Sequence, residues 1–200
     1  LDLGSDMLQE KMNKDLENYV LKIPNILDDA FCKKIIKELQ SAHWEINTFY
    51  NHKKKKISPL SGAQELDTSY TKIKSNDVII KKLWLAIHKY IVEFLKFKWF
   101  DSWEGYSPLR FNRYSKNQLM MEHCDHIKSL FTGENRGIPV LSLVGLLNND
   151  YTGGEFMMFQ DKEYKIKAGE VLLFPSNFLY PHKVLPVKKG IRYSYTSWVF

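Results

Sequence analysis

"GEVLLFPSNFLYPHKVLPVKKGIRYSYTSWVF", residues 169–200, breaks into three runs: "EVLLF", "HKVLPV" and "IRYSYTSWVF". Each is short, rich in β-branched or aromatic side chains, and set off from the next by Pro, Asn or Gly. Branched and aromatic residues suit a pleated surface, and the breakers suit turns, so the pattern predicts successive β-strands. Alternation along the last run puts Arg192, Ser194, Thr196 and Trp198 on one face. Ile191, Tyr193, Tyr195, Ser197 and Val199 fall on the other. Arginine, serine and threonine aligned beside a tryptophan are odd on a core face. They suit a pocket for a carboxylate, since a guanidinium bonds it bidentately and a hydroxyl adds a further bond. The competing reading is a solvent-facing Arg192 with the aromatic face as core.

Working back, the strand pattern persists from about residue 107. "LRFNRYS", "LMMEHCD", "PVLSLVGLL", "GEFMMF" and "EYKIK" bring the strand candidates to eight. Ahead of them lie two amphipathic helices. In "NILDDAFCKKIIKELQSA", Phe31, Ile35, Ile36 and Leu39 recur at helical spacing, with Asp28 or Asp29 as cap. In "SNDVIIKKLWLAIHKYIVEFLKF", Val78, Ile79, Leu83, Ile87, Ile91 and Leu95 form one stripe, with Ser75 or Asn76 as cap. Helices followed by a run of strands predict an α+β fold, with helices packed on one face of a β-sandwich or barrel.

Within "MMEHCDHI", residues 120–127, four potential metal ligands stand in a row. On a strand over 118–125, His123 and Asp125 share one face, while Cys124 and His126 point the other way. An imidazole and a carboxylate at i and i+2 can bite one metal. A further imidazole would complete the two-histidine, one-carboxylate triad that suits non-haem Fe(II) and leaves three coordination positions open. The plain alternative is a polar pair on a sheet surface. Among His43, His52, His88 and His182, only His182 sits on a strand downstream, where intervening strands can return it to the pair. Cys124 is expected to pack as a small buried group behind its strand and His126 to sit at the strand end.

Two hundred residues suit one domain. The net charge is +6, but acidic residues are interspersed, and the one basic block is Lys53–Lys56. That block reads as a solvated loop. No interleaving of aromatic and basic residues supports a nucleic-acid surface. Two cysteines, Cys32 and Cys124, are too few for a disulfide framework or a thiolate zinc site. They fit a reducing, intracellular (cytoplasmic) setting. No apolar run approaches the ~18 residues of a membrane span, and no signal-peptide core is visible. Two long segments, about 51–68 and "IKSLFTGENRGIP" after the HxD, are candidate lids. Aromatics such as Trp44, Tyr50, Tyr70 and Trp103 are expected in the core.

His123-x-Asp125, the distal His182, and Arg192 ten residues later with Ser194 as R-x-S resemble the 2-oxoglutarate- and Fe(II)-dependent oxygenases. "NRYSKNQLMMEHCDH", "VGLLNNDYTGGEFMMF" and "GEVLLFPSNFLYPHKVLPVKKGIRYSYTSW" are similar to stretches of their prolyl-4-hydroxylase-like branch, as is "YVLKIPNILDDAFCKKIIKEL". The resemblance spans residues 19–200, leaving 1–18 as an N-terminal extension. It implies a double-stranded β-helix (jelly-roll) with flanking N-terminal helices. It also implies Fe(II) on His123, Asp125 and His182. The distal carboxylate of 2-oxoglutarate would lie on Arg192, with Tyr114, Ser194 and Thr196 in the same pocket. O₂ would be consumed, and ascorbate is an optional cofactor. Many prolyl hydroxylases carry Lys where this chain has Arg192; either cation holds a carboxylate. The implied activity is hydroxylation of a peptidyl, prolyl-type side chain, with release of succinate and CO₂. The alternatives are the same chemistry on a free amino acid, small metabolite or nucleic acid, or a catalytically silent binding module. The implied partner is thus a peptide or protein, with a small molecule next, no membrane and no defined oligomer.

Overall fold

The computed structural model describes residues 3–51, 56–58, 65–100, 103, 105–125 and 139–200. The N-terminal half runs α1 (Leu3–Glu17), β1 (Leu21–Ile23), α2 (Asp29–Glu38), β2 (Glu45–Ile46), β3 (Phe49–Asn51), β4 (Lys56–Ser58), β5 (Asp67–Ser69) and α3 (Asn76–His88). Strands then follow: β6 (Arg110–Tyr114), β7 (Met120–His123), β8 (Leu141–Leu146), β9 (Thr152–Gly153) and β10 (Phe156–Met158). The chain continues with β11 (Lys162–Glu163), β12 (Val171–Pro175), β13 (His182–Val184), β14 (Val187–Lys189) and β15 (Arg192–Val199).

Seven strands form the major sheet in the order β1-β12-β8-β15-β6-β5-β2, and four form the minor sheet in the order β11-β10-β13-β7. Every pairing within both is antiparallel. This is the α+β, double-stranded β-helix architecture. The period of two divides the central strands between two cores. Val171 and Leu173 of β12, Leu141 and Leu143 of β8, and Tyr193, Tyr195 and Val199 of β15 pack toward the helices, with Ile35, Ile79, Leu83 and Ile87. Leu172, Phe174 and Val144 face the other way, onto Met120, Phe156, Met158 and Val184 between the sheets. At about 25 cal/mol per Å² of apolar surface, this two-sided burial makes β8, β12 and β15 a major stabilising part of the fold.

The helices form where their stripes predict, with local differences. Asp28 caps α2 by accepting from the Phe31 N–H at 2.7 Å. Ser75 occupies the cap position of α3 but makes no capping bond. Its N–H and hydroxyl go instead to the Glu38 carboxylate, both at 2.9 Å, tying α3 to α2. Val78 is 44% exposed rather than part of the buried stripe. The helix continues past His88 as a π-helical turn over Lys89–Phe94, from which the Tyr90 hydroxyl reaches the Tyr19 carbonyl at 2.6 Å. Of "EYKIK" (163–167) only Glu163 lies on a strand, at the end of β11, and "HKVLPV" is split into β13 and β14 around Leu185 and Pro186. Proline cannot donate to a ladder, which explains the split. Tyr70 is exposed, not core, whereas Trp44 and Trp103 pack partly buried against the helix-side core. Lys53–Lys55, His126 and residues 127–138 lie outside the described residues.

Candidate metal centre

β7 ends at His123, and Asp125 sits in the bend just beyond it. β13 lies antiparallel to β7 with His182 directly opposite His123. Cross-strand partners approach closely, so the two rings stand 4.4 Å apart, centroid to centroid. Asp125 Oδ1 lies 3.4 Å from Nε2 of His123 and 3.7 Å from Nε2 of His182. One ligand atom from each residue falls within 4.8 Å of the others. Two imidazoles and a carboxylate on one side of a point can take three coordination positions and leave three open.

Hydrogen bonds orient all three. His123 Nδ1 bonds the Met121 carbonyl at 2.8 Å, and His182 Nδ1 bonds the Tyr180 carbonyl at 3.1 Å. A carbonyl only accepts, so each Nδ1 carries a hydrogen, and each Nε2 is the ring nitrogen turned toward Asp125. Asp125 Oδ2 accepts from the Ser142 hydroxyl at 2.6 Å. Burial pushes the His182 pKa down to about 4, against the pull of Asp125, so the ring is neutral near pH 7. Burial alone would raise Asp125, but His182, His123 and the Ser142 hydroxyl outweigh it and hold the carboxyl below its usual range. Neutral imidazoles and an ionised carboxylate are the forms that ligate a cation.

The same narrow cavity is lined by Arg192, Tyr114, Ser194 and Thr196. All seven residues selected from the sequence therefore face one space. Arg192 is 2% exposed. Its Nη1 donates to Ser194 Oγ at 2.9 Å, its guanidinium lies 4.9 Å from the Tyr114 ring centre, and its Nε has no partner among the described residues. Burial raises the Tyr114 pKa despite the nearby Arg192 charge, leaving a neutral phenol able to donate. Thr196 Oγ1 and Asn112 Oδ1 are also buried without partners among the described residues. Unpaired buried polar atoms each cost about 1–3 kcal/mol, which marks a cavity built for a polar guest.

Cys124 lies beyond the end of β7, half-buried, with its thiol on the Phe178 carbonyl at 3.4 Å. It is neither on the reverse of a strand nor fully buried, because β7 stops one residue earlier. His43 is an exposed partner of Glu45. Several cavity residues went unrecognised in the sequence. Alternation along "LRFNRYS" puts Arg110 and Asn112 on the face of Tyr114, so period two alone could have found them. The Arg110 guanidinium stacks 4.8 Å from the Trp198 ring centre. Buried Glu65, whose pKa is raised by burial against the opposing influence of Asn47 and His123, carried no sequence signal. Neither did Ser142 or Ser176.

Fold and cluster define a class: a double-stranded β-helix protein with a His/Asp/His centre between its sheets. Residues 109–200 match the family model of the 2OG-Fe(II) oxygenase superfamily. A PKHD-type hydroxylase of Prochlorococcus marinus is 30% identical over 89 residues, covering 43% of this chain and 39% of that protein. The chain thus spans less than half the length of this curated relative. Among solved structures, a Trichoplax adhaerens prolyl hydroxylase in complex with a hypoxia inducible factor peptide fragment superposes with TM-score 0.67 at 16% identity, over 100% of this chain and 94% of that one. The viral collagen prolyl hydroxylase of Paramecium Bursaria Chlorella virus-1 gives TM-score 0.62 at 18% identity, over 90% and 94%. These likenesses carry the fold. No helix among the described residues is long and apolar enough to cross a membrane.

Proposed function

We propose that this protein is an Fe(II)- and 2-oxoglutarate-dependent dioxygenase that hydroxylates a peptidyl side chain of prolyl type, releasing succinate and CO₂. Residues 19–200 form the catalytic unit in this reading, and 1–18 an extension. One observation carries it: a single cavity holds the His123/Asp125/His182 cluster together with a buried, incompletely paired Arg192. Two Nε2 atoms and one ionised oxygen fit a divalent iron, and the Arg192 Nε, unpaired among the described residues, fits a carboxylate.

Bound there, iron supplies the redox chemistry that couples decarboxylation of 2-oxoglutarate to oxygen insertion at a C–H bond. The chain's own residues do the rest. His123, Asp125 and His182 hold three positions and leave the others free. Arg192 and the Tyr114 hydroxyl take the far carboxylate, and Ser194 keeps the guanidinium aimed. Thr196 and Asn112 offer further polar contacts. Trp198 and Phe156, with the buried aliphatics around them, keep bulk water from the centre. A peptidyl substrate is supported by the peptide bound to the Trichoplax enzyme and by the hydroxylase names of the curated relatives.

Anaerobic visible absorption tests the reading. Metal-stripped protein given Fe(II) and then 2-oxoglutarate is expected to develop a charge-transfer band only with both. His182→Ala abolishes it and Arg192→Ala weakens it. Folded, iron-loaded protein without a band would overturn the cosubstrate assignment. Peptide panels scored by succinate release then identify the substrate, and a preference for free amino acids would overturn the peptidyl assignment.

A further inference from the structure

Asp125 is not held by its own strand: it sits in a bend two residues past the end of β7. A carboxylate there can turn about its own axis and offer a metal either oxygen or both. What stops it comes from the opposite sheet. Ser142, on β8 in the middle of the major sheet, donates its hydroxyl to Asp125 Oδ2 at 2.6 Å. That hydroxyl hydrogen is then committed. The 2.7 Å contact between Ser142 Oγ and Ser176 Oγ is accordingly one in which Ser176 donates and Ser142 accepts. Ser142 and Ser176 are each 1% exposed and Asp125 is 5% exposed, so water does not compete for these bonds. Backbone pairing fixes both serines: Ser142 lies opposite Phe174 and Trp198, and the Ser176 N–H bonds the Val140 carbonyl.

We propose that Ser142, backed by Ser176, is a positioning residue that makes Asp125 a one-oxygen metal ligand. With Oδ2 held by a short charge-assisted bond, Oδ1 is the oxygen that lies 3.4 and 3.7 Å from the two Nε2 atoms. A carboxylate free to bind through both oxygens would take a fourth position and leave two open instead of three. The relay thereby sets how many positions remain for other ligands. This inference rests on the metal-site reading given above. It ties a ligand of the minor sheet to the most deeply packed strands of the major one, a coupling of the outer-sphere kind that tunes metal affinity.

The test is Co(II) titration of metal-stripped protein, reading both affinity and the visible d–d spectrum, with thermal melting of the metal-free form alongside. Ser142→Ala is expected to weaken Co(II) about 10- to 100-fold and to alter the d–d spectrum. Ser142→Thr, which keeps the hydroxyl, is expected to retain the wild-type spectrum. Ser176→Ala is expected to shift the spectrum in the same sense as Ser142→Ala, by less. A wild-type spectrum and affinity in Ser142→Ala would overturn the proposal. So would equal losses in Ser142→Thr, which would assign the effect to packing. If Ser142→Ala does not fold, an unchanged spectrum in Ser176→Ala overturns the relay. Failure of the underlying reading looks different: wild type would not bind Co(II), or His182→Ala would bind it as well as wild type does, and the inference falls with it.

Discussion

Arg192 carries a full charge in a site 2% exposed, with a neutral serine hydroxyl as its hydrogen-bond partner and a tyrosine ring beside it. Desolvating a charge without a counter-ion is costly, so the metal-free, cosubstrate-free protein carries a destabilising group. Arg192→Met is therefore expected to raise the apo melting stability by about 1–2 kcal/mol while abolishing stabilisation by added 2-oxoglutarate. Thermal melts with and without the diacid check both halves, and a lowered apo stability would contradict the first. His182 makes a second prediction. Its folded pKa of about 4 lies below the ordinary 6.5, so the unfolded chain takes up the proton first as pH falls. Its contribution is complete above about pH 6.5 and lost progressively down to about pH 4, worth roughly 3 kcal/mol at most. Asp125, held low, adds a further loss at still lower pH. Denaturant melts of metal-stripped protein across that window should show the slope, and His182→Gln should flatten it.

The elements decide how those residues meet. β13 and β7 put His182 opposite His123, and β15 and β6 put Arg192 opposite Tyr114. From the end of β9 toward β10 the chain turns through Gly153 and Gly154, both at positive φ. A Cβ at Gly154 would stand 3.0 Å from Arg192 Cδ, so the glycine serves both the turn and the room for that side chain. Gly154→Ala is expected to cost about 1–2 kcal/mol and to weaken 2-oxoglutarate binding, checked by melting and by titration. Gly105→Ala is the control, since its Cβ would meet only the Phe200 ring at 3.5 Å. Much of this level was legible. Alternation in "IRYSYTSWVF" placed Arg192, Ser194, Thr196 and Trp198 on one face because β15 is long enough to keep strict period two. It was less legible in "EYKIK", where apolar alternation survives but the ladder ends at Glu163, the first residue of the run.

Across the whole molecule, the two sheets enclose the centre, and the Asp125–Ser142 bond bridges them. A metal bound to the folded state alone must stabilise all of it. At a thousandfold excess over its dissociation constant, redox-silent Mn(II) is expected to add about 4 kcal/mol, reversed by chelator. An unmoved melting temperature at saturating Mn(II), with His182→Ala behaving like wild type, would count against the triad.

Residue types and their periods settled that a run of strands fills the chain from about residue 107 and which face of β15 is polar; they also paired His123 with Asp125, although β7 ends before Asp125. They did so because alternation is a local property of the backbone. His182 was singled out in the sequence as the histidine on a downstream strand, but its register opposite His123, the Ser142–Ser176 relay, the placement of Arg110 on Trp198 and the burial of Glu65 were decided by the tertiary structure. Each joins residues distant in the chain, and strand order and register, which no local pattern encodes, set who stands opposite whom. Isolated serines in apolar strands look like tolerated polarity until the opposite sheet puts a carboxylate 2.6 Å away.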